Sequence, residues 1–256
     1  AACSLASNAG FADCTEAGIK ARYHRRKCPA WQENPLLDLT VVFDLDGTLV
    51  DTAPDLIGAL QRLLASRELA AVPEAELRPL ISLGSRAMLK RALAINAYEI
   101  DSATFEAWWQ DYLGIYEANI AVASRPFDGL TDVLDSLEAD GTRLAVCTNK
   151  TEALSLKLLD ELGLRRRFQA ICGRDTFPVC KPDPLHLVET IRAAGGAPGR
   201  ALMVGDSDVD IATARAAGVP VVAVTFGYCI EPVASHGPDV TIDHYRNFRS
   251  AMTLVL

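Results

Sequence analysis

No apolar run in this chain approaches the ~18 residues needed to cross a bilayer, so a membrane-spanning helix is not expected. The chain also lacks any C-x-x-C pair. Its seven cysteines, at positions 3, 14, 28, 147, 172, 180 and 229, are odd in number and widely spaced, which excludes a paired-thiolate zinc site and reads as reduced thiols in a cytoplasm. Positive charge is in deficit, 25 Lys and Arg against 33 Asp and Glu, and a net charge of −8 would repel nucleic acid and anionic membranes, so neither is an expected partner. A phosphorylated ligand would be repelled too, unless its site carries a cation of its own. Core material, by contrast, is plentiful. At 256 residues, 50% of them hydrophobic, the chain is long enough for one large domain with an insertion or two modest domains sharing a cleft.

Residues 1–37 differ from the rest. They show little periodic hydrophobicity and carry a basic knot, Arg22-Tyr23-His24-Arg25-Arg26-Lys27. They lack a continuous apolar stretch of the signal-peptide kind, and Asp13 and Glu16 argue against a transit peptide. The segment reads as a poorly ordered N-terminal extension rather than a functional arm.

From Leu39 the pattern becomes regular. Leu39-Thr40-Val41-Val42-Phe43 is a β-branched run that stops at the turn formers Asp44, Asp46 and Gly47, the mark of a buried strand feeding a loop. Similar runs occupy residues 144–147, 201–204 and 219–224, with a weaker one at 169–172. Helical spacing lies between them: Leu130, Val133, Leu134 and Leu137 before Gly141, then Leu154, Leu158, Leu159 and Leu162 before Gly163, and later Leu185, Val188 and Ile191 before Gly195. A short Ala-rich helix from Val209 ends at Gly218. Strands alternating with helices predict an α/β fold with a Rossmann-like, mostly parallel sheet. One interval breaks the alternation: residues 54–122 hold amphipathic helices only, the last with an aromatic stripe of Phe105, Trp108, Trp109, Tyr112 and Tyr116, which reads as packed core in preference to a ligand surface. A helical cap domain over 54–122 is therefore expected to interrupt a core domain made of 38–53 and 123–256. Inserted after the first strand, it would lie over the carboxyl ends of the strands, where open α/β sheets place ligands.

Four short motifs stand at strand ends or in the loops after them: Asp44-Leu45-Asp46-Gly47-Thr48, Thr148-Asn149-Lys150, Lys181-Pro182-Asp183-Pro184 and Gly205-Asp206-Ser207-Asp208-Val209-Asp210. Singly, each has an ordinary reading as a turn, a rigid loop or a helix cap. Together they crowd carboxylates at one sheet edge. Clustered aspartates repel and raise one another's pKa unless a cation sits among them. Oxygen-only ligands with no His or Cys pairing suit a hard ion such as Mg²⁺ that also takes a phosphate oxygen. Lys181 adds a positive charge and Thr148 a hydroxyl donor, which makes a phosphate socket inside an acidic protein.

These four motifs, in this order over residues 39 to about 245, resemble the haloacid dehalogenase-like hydrolase superfamily and, within it, the phosphoglycolate phosphatase group. The resemblance implies a parallel sheet with the first strand central, Asp44 and Asp206 ending neighbouring strands, and a small helical cap. Residue by residue it implies that Asp44 is the nucleophile and Asp46 the general acid and base. It implies Mg²⁺ held by Asp44, Asp206 and the Asp46 backbone carbonyl. Thr148 and the Asn149 amide would bind phosphoryl oxygens and Lys181 would stabilise the charge in transit. Asp210 would orient the site or bind the ion through water, and Thr48 would hydrogen-bond within its own loop. The expected activity is hydrolysis of a small phosphorylated metabolite, 2-phosphoglycolate or a similar monoester, by a cytoplasmic monomer or homodimer.

Asp46 bears on the chemistry, because dehalogenases of this superfamily lack a carboxylate two residues after the nucleophile and its phosphoryl-transfer ATPases have threonine there. A phosphonatase would need a Schiff-base lysine from the cap, and Lys90 is the only lysine between residues 54 and 122. A phosphosugar mutase of the β-phosphoglucomutase kind shares the motifs, and a non-catalytic binding member of the fold is the remaining alternative. For specificity, the Gly84-Ser85-Arg86 turn at a helix start is the expected contact with the non-reacting end of the substrate, Arg86 pairing a carboxylate; the competing reading is a surface ion pair of Arg86 with Glu74 or Glu76.

Overall fold

The computed structural model describes residues 38–256, so the expectation for residues 1–37 lies outside the described residues. The first β-branched run forms β1 (Thr40–Phe43), buried along its whole length. It ends at Asp44, whose N–H still donates to Val204 O at 2.9 Å. A short β2 (Val50–Asp51) then opens an excursion through α1 (Ala53–Ser66), α2 (Glu74–Leu77), a 3₁₀ turn at Arg78–Leu83, α3 (Ser85–Ile95) and α4 (Ser102–Ala118). It closes at β3 (Arg125–Pro126), antiparallel to β2. Regular alternation follows: α5 (Leu130–Ala139), β4 (Arg143–Cys147), α6 (Glu152–Glu161), β5 (Ala170–Cys172), α7 (Pro184–Ala193), β6 (Ala201–Gly205), α8 (Asp208–Ala217), β7 (Val221–Val224), β8 (Val240–Ile242) and α9 (Phe248–Val255).

Among the described residues, six of these strands form one parallel sheet in the order β5-β4-β1-β6-β7-β8. Side chains alternate across a strand, so one residue type of spacing fills two cores. Val41, Phe43, Leu144, Val146, Leu202 and Val204 join one cluster with Leu134 of α5 and Phe248 of α9. Val42, Ala145, Cys147 and Met203 join the other, with Leu187 and Ile191 of α7 and Ile211 of α8. A strand covered on both faces has no polar face to present, which is why the strands read as unbroken apolar runs. The chain builds β1, β4 and β5 to one side, then returns to lay β6 on the other side of β1. The crevice between the carboxyl ends of β1 and β6 is therefore the topological switch point.

The excursion is closed by a buried carboxylate. Asp55, at the start of α1, accepts hydrogen bonds from Ala123 N (2.9 and 3.0 Å), Ser124 N (2.7 Å) and Ser124 Oγ (2.7 Å), which ties the outgoing chain to the returning one. The α1 helix packs on α4, and Tyr112 Oη donates to Leu56 O at 3.2 Å. The aromatic stripe divides: Trp108 stacks on Tyr98, whereas Trp109, Tyr112 and Tyr116 also line a cavity.

Two details depart from the sequence reading. Residues 219–224 carry the apolar run, but β7 begins at Val221, because Pro220 has no N–H to give the ladder and only its carbonyl bonds, to Met203 N at 2.9 Å. The edge strand β8 has no run to announce it; only Ile242 of its three residues is buried. No helix among the described residues is long and apolar enough to cross a membrane.

Candidate active site

The four motif loops meet at the switch point. Asp44 leaves β1 and Asp206 leaves β6, so their carboxylates are neighbours because their strands are. Lys181 reaches Asp44 from the loop before α7. Its Nζ, 97% buried with the rest of the residue, lies 2.9 Å from Asp44 Oδ1 and 2.6 Å from Asp210 Oδ1. The other oxygen of Asp210 accepts Asp206 N (3.2 Å), Ser207 N (3.1 Å) and Ser207 Oγ (2.6 Å), forming a capping box at the start of α8. Asp210 is thus fully engaged in fixing the Asp206 loop and aiming Lys181. Asp206 accepts Thr48 Oγ1 at 3.1 Å and Tyr228 N at 2.7 Å. The Thr48 hydroxyl therefore bridges to the neighbouring strand end rather than bonding within its own loop, because the helical turn at Thr48 points its side chain across the crevice. Gly47, at φ 86°, is obligatory there: a Cβ would lie 2.4 Å from Asp206 Oδ2.

Two carboxylates, Asp44 and Asp210, share one buried ammonium, and Asp206 crowds in beside them. Burial pushes Asp44 up to about 6, Lys181 opposing it and Asp210 and Asp46 adding to it. Asp206 is raised well above the carboxylate range by burial, with Asp210 and Asp44 adding repulsion. Burial works against the charge of Lys181, but Asp210 and Asp44 more than reverse that and hold it protonated. Oxygens of Asp44, Asp206 and Asp210 lie within 4.8 Å of one another. Asp210 is committed on both oxygens, whereas Asp206 takes one hydrogen bond on each oxygen and the buried Asp44 Oδ1 meets only the Lys181 ammonium. Three buried carboxylates within 4.8 Å of one another, with a single ammonium among them and only oxygen donors, fit a hard divalent cation.

Asp46 stands apart from this cluster. Its carboxylate accepts Thr52 Oγ1 at 2.6 Å and receives Lys150 Nζ at 2.9 Å on both oxygens. Lys150 is itself buried, its ammonium 4.8 Å from the Tyr116 ring centroid. Neither Lys150 nor Tyr228 was assigned a role from the sequence. Lys150 had a usable signal, its place directly after Thr148-Asn149; Tyr228 had none, since it comes from an irregular loop after β7. Thr148 is buried, with its N–H on Cys172 O at 3.0 Å and its Oγ1 accepting Lys150 N at 3.2 Å. The Asn149 side chain donates to Lys181 O at 3.0 Å, so it braces the loop that carries the ammonium.

A cavity of about 490 Å³ covers these groups, with Asp44, Asp46, Thr148, Lys181 and Asp206 on its floor and the residues of α3 and α4 on its roof. Gly84 and Arg86 line the roof. Arg86 pairs with neither Glu74 nor Glu76: its guanidinium bonds both oxygens of Glu106 (2.9 and 2.7 Å) and stacks 3.7 Å from the Trp109 ring centroid, while Glu74 and Glu76 take Arg78 and Arg91. The reason is geometric, since α3 presents residue 86 to α4 rather than to α2. Lys90 is not among the cavity-lining residues; its ammonium lies over Phe105.

Behind the floor, His186 is wholly buried. Its Nε2 is 3.0 Å from Gly173 O, a pure acceptor, so Nε2 carries the proton and Nδ1 faces the Cys147 thiol at 3.6 Å as an acceptor. Burial pushes the Cys147 thiol up to about 12, which keeps it a donor. Burial, with Lys181 nearby, lowers His186 from 6.5 to about 4. An unfolded chain would take a proton there near pH 6.5 and the folded one resists it, so this group's contribution to stability is complete above pH 6.5 and is lost as pH falls toward 4. The unfolding free energy of the wild type is expected to fall between pH 7.5 and 4.5 by about 2–3 kcal/mol more than that of His186→Gln. Parallel pH profiles in denaturant titrations would show that His186 is not held neutral.

A family model described as haloacid dehalogenase-like hydrolase matches residues 41–224. The phosphoglycolate phosphatase of Mesorhizobium japonicum is 51% identical over 205 residues, covering 80% of this chain and 90% of that protein. That of Agrobacterium fabrum is 45% identical over 218 residues, covering 85% and 93%. Among solved structures, one from Haemophilus somnus described as a predicted phosphoglycolate phosphatase superposes with a TM-score of 0.78 at 29% identity, over 85% of this chain and 98% of that one.

Proposed function

From the premise that the chain belongs to the haloacid dehalogenase-like hydrolase family and is a phosphoric monoester hydrolase, we propose that it cleaves 2-phosphoglycolate or a closely similar small ester through a phosphate carried on Asp44. The observation that carries this reading is the meeting of Asp44 and Asp206 at adjacent strand ends, with the Lys181 ammonium 2.9 Å from Asp44. The residues present fit Mg²⁺, held by the Asp44 and Asp206 carboxylates and the Asp46 backbone carbonyl; when bound it would neutralise the crowded carboxylates and draw a phosphoryl oxygen to them.

In the first half-reaction an Asp44 carboxylate oxygen forms a bond to phosphorus while the bond from phosphorus to the ester oxygen breaks. Asp46 gives its proton to the departing alkoxide. In the second, water attacks phosphorus, Asp46 takes a proton from it, and the bond to Asp44 breaks to release phosphate. Lys181 keeps the attacking carboxylate aimed and offsets the charge gathering on the phosphoryl oxygens. Thr148 and the Asn149 amide close the other side of that group. Thr52 and Lys150 hold the Asp46 side chain in one place, 2.6 and 2.9 Å from their polar atoms; this charged form is the base of the second half-reaction, and Asp46 exchanges the Lys150 contact for a proton before it serves as the acid of the first. We propose that the segment from α1 to α4 acts as the cap, excluding water from the floor of the cavity and supplying contacts to the alcohol.

The test is release of inorganic phosphate from a panel of phosphorylated metabolites, with 2-phosphoglycolate included. Activity is expected to fall below about 1% with a chelator and to return with Mg²⁺. Full turnover in the chelator would sink the proposed cation site. A phosphorylated isomer in place of free phosphate would identify a mutase.

A further inference from the structure

We propose that Arg174 is the residue that recognises a carboxylate on the alcohol portion of the substrate, and so sets which phosphate esters this site selects. The inference rests on the phosphatase reading above and adds a residue to it. Among the described residues four cationic side chains line the cavity: Arg86, Lys150, Arg174 and Lys181. Three are already neutralised. Lys181 is shared by Asp44 and Asp210, Lys150 lies on both oxygens of Asp46, and Arg86 lies on both oxygens of Glu106. No carboxylate among the described residues comes within ion-pair distance of Arg174, which is exposed to the cavity and to solvent. In a chain with net charge −8, an unpaired guanidinium at the rim of a phosphate site is the group best suited to a second anion.

Arg174 is also held as a recognition residue has to be. Its N–H donates to Lys150 O at 2.9 Å, which fastens the loop after β5 to the loop after β4. Around it Glu152 N donates to Asp175 Oδ1 (2.8 Å), Gly173 N to Thr176 Oγ1 (2.8 Å) and Thr176 Oγ1 to Glu152 Oε2 (2.5 Å). These bonds also occupy the carboxylates of Asp175, next in sequence, and of Glu152, on the facing loop. The two loops approach so closely that a Cβ at Gly173 would lie 2.2 Å from Glu152 N, so the contact admits only glycine. The backbone at 174 is thereby fixed while its side chain is left without a partner.

The strand order places this donor at a useful distance. Asp44 ends β1, Thr148 follows β4 and Arg174 follows β5, with β4 between the other two. Two strand spacings are roughly 10 Å, a gap that a short phosphate ester on Asp44 and an extended arginine side chain fill together. A two-carbon acid esterified to phosphate would meet Lys181 and Thr148 at one end and Arg174 at the other.

A charge pair made alike in the bound substrate and in the transition state acts on KM and leaves kcat nearly unchanged. Hydrolysis of 2-phosphoglycolate is to be compared with that of 2-hydroxyethyl phosphate, which replaces the carboxylate with an uncharged hydroxymethyl group, in the wild type, Arg174→Ala and Arg174→Lys, all as full chains. Arg174→Ala is expected to lower kcat/KM for 2-phosphoglycolate by about tenfold to a hundredfold, the loss of one charge-assisted pair, mainly through KM. It should change the neutral ester by less than about twofold, and Arg174→Lys should recover part of the loss. The neutral ester doubles as the control for folding. Equal loss on both esters, no loss on either, or collapse of the ratio in Arg86→Ala instead would overturn the assignment while leaving the phosphatase reading intact. A wild-type protein that releases phosphate from neither ester would overturn both.

Discussion

Asp44→Asn is expected to reduce phosphate release by at least about a thousandfold, because an amide of nearly the same shape cannot form the acyl phosphate. The more informative half of this result is stability. Asp44 sits in a group of three carboxylates whose one ammonium lies on Asp44 and Asp210, and its own carboxyl is pushed up to about 6 by burial, with Lys181 opposing and Asp210 adding. Removing one negative charge from an over-charged buried cluster relieves repulsion, so without metal the variant should melt at the same temperature as the wild type or higher. Activity within a few per cent of wild type would exclude Asp44 as the group that carries the phosphate. A large fall in melting temperature would show that its charge is needed for folding, contrary to the electrostatics of the cluster.

Lys181→Met should give the same catalytic outcome with the opposite thermal one. The ammonium is the sole cation within 2.9 Å of both Asp44 and Asp210 among the described residues. Its loss removes the charge that balances the phosphoryl group in transit, a fall of about 10²–10³ in kcat/KM. It also strands two buried carboxylates. Breaking a buried ion pair by deleting one partner costs about 3–5 kcal/mol, which for a chain of this size is on the order of 10 °C in melting temperature. Parallel scans of the two variants separate the readings: if both melt like the wild type, the cluster is more solvated than its geometry implies. If both melt low, the loops are held by Asp44 as much as by Lys181.

The thermal contrast depends on Asp210, whose importance was only partly legible. Its position in Gly205-Asp206-Ser207-Asp208-Val209-Asp210 marks a helix start and a carboxylate cluster. Nothing in that string says that one Asp210 oxygen would close a capping box while the other holds Lys181, because Lys181 is 29 residues away and comes to it only when α7 and α8 pack together. Thr48 makes the same point. A hydroxyl next to an Asp-Gly turn reads as a local hydrogen-bond donor, yet it bonds Asp206, 158 residues away, because β1 and β6 are paired in register.

Two kinds of information were carried by the chain in different places. Local pattern determined the α/β class, the parallel sheet and the order of the chemistry-bearing loops, since unbroken apolar runs and helical spacing are properties of neighbouring residues. It also determined that the four motifs would lie at one sheet edge, because right-handed crossovers put the carboxyl ends of parallel strands on the same side. Which cation meets which carboxylate was decided by tertiary structure alone. Arg86 goes to Glu106, Lys150 to Asp46 and Lys181 to Asp210, and Arg174 is left facing the cavity. Charge pairing runs through space over a few ångströms, and distance along the chain says little about it until packing has brought the loops together.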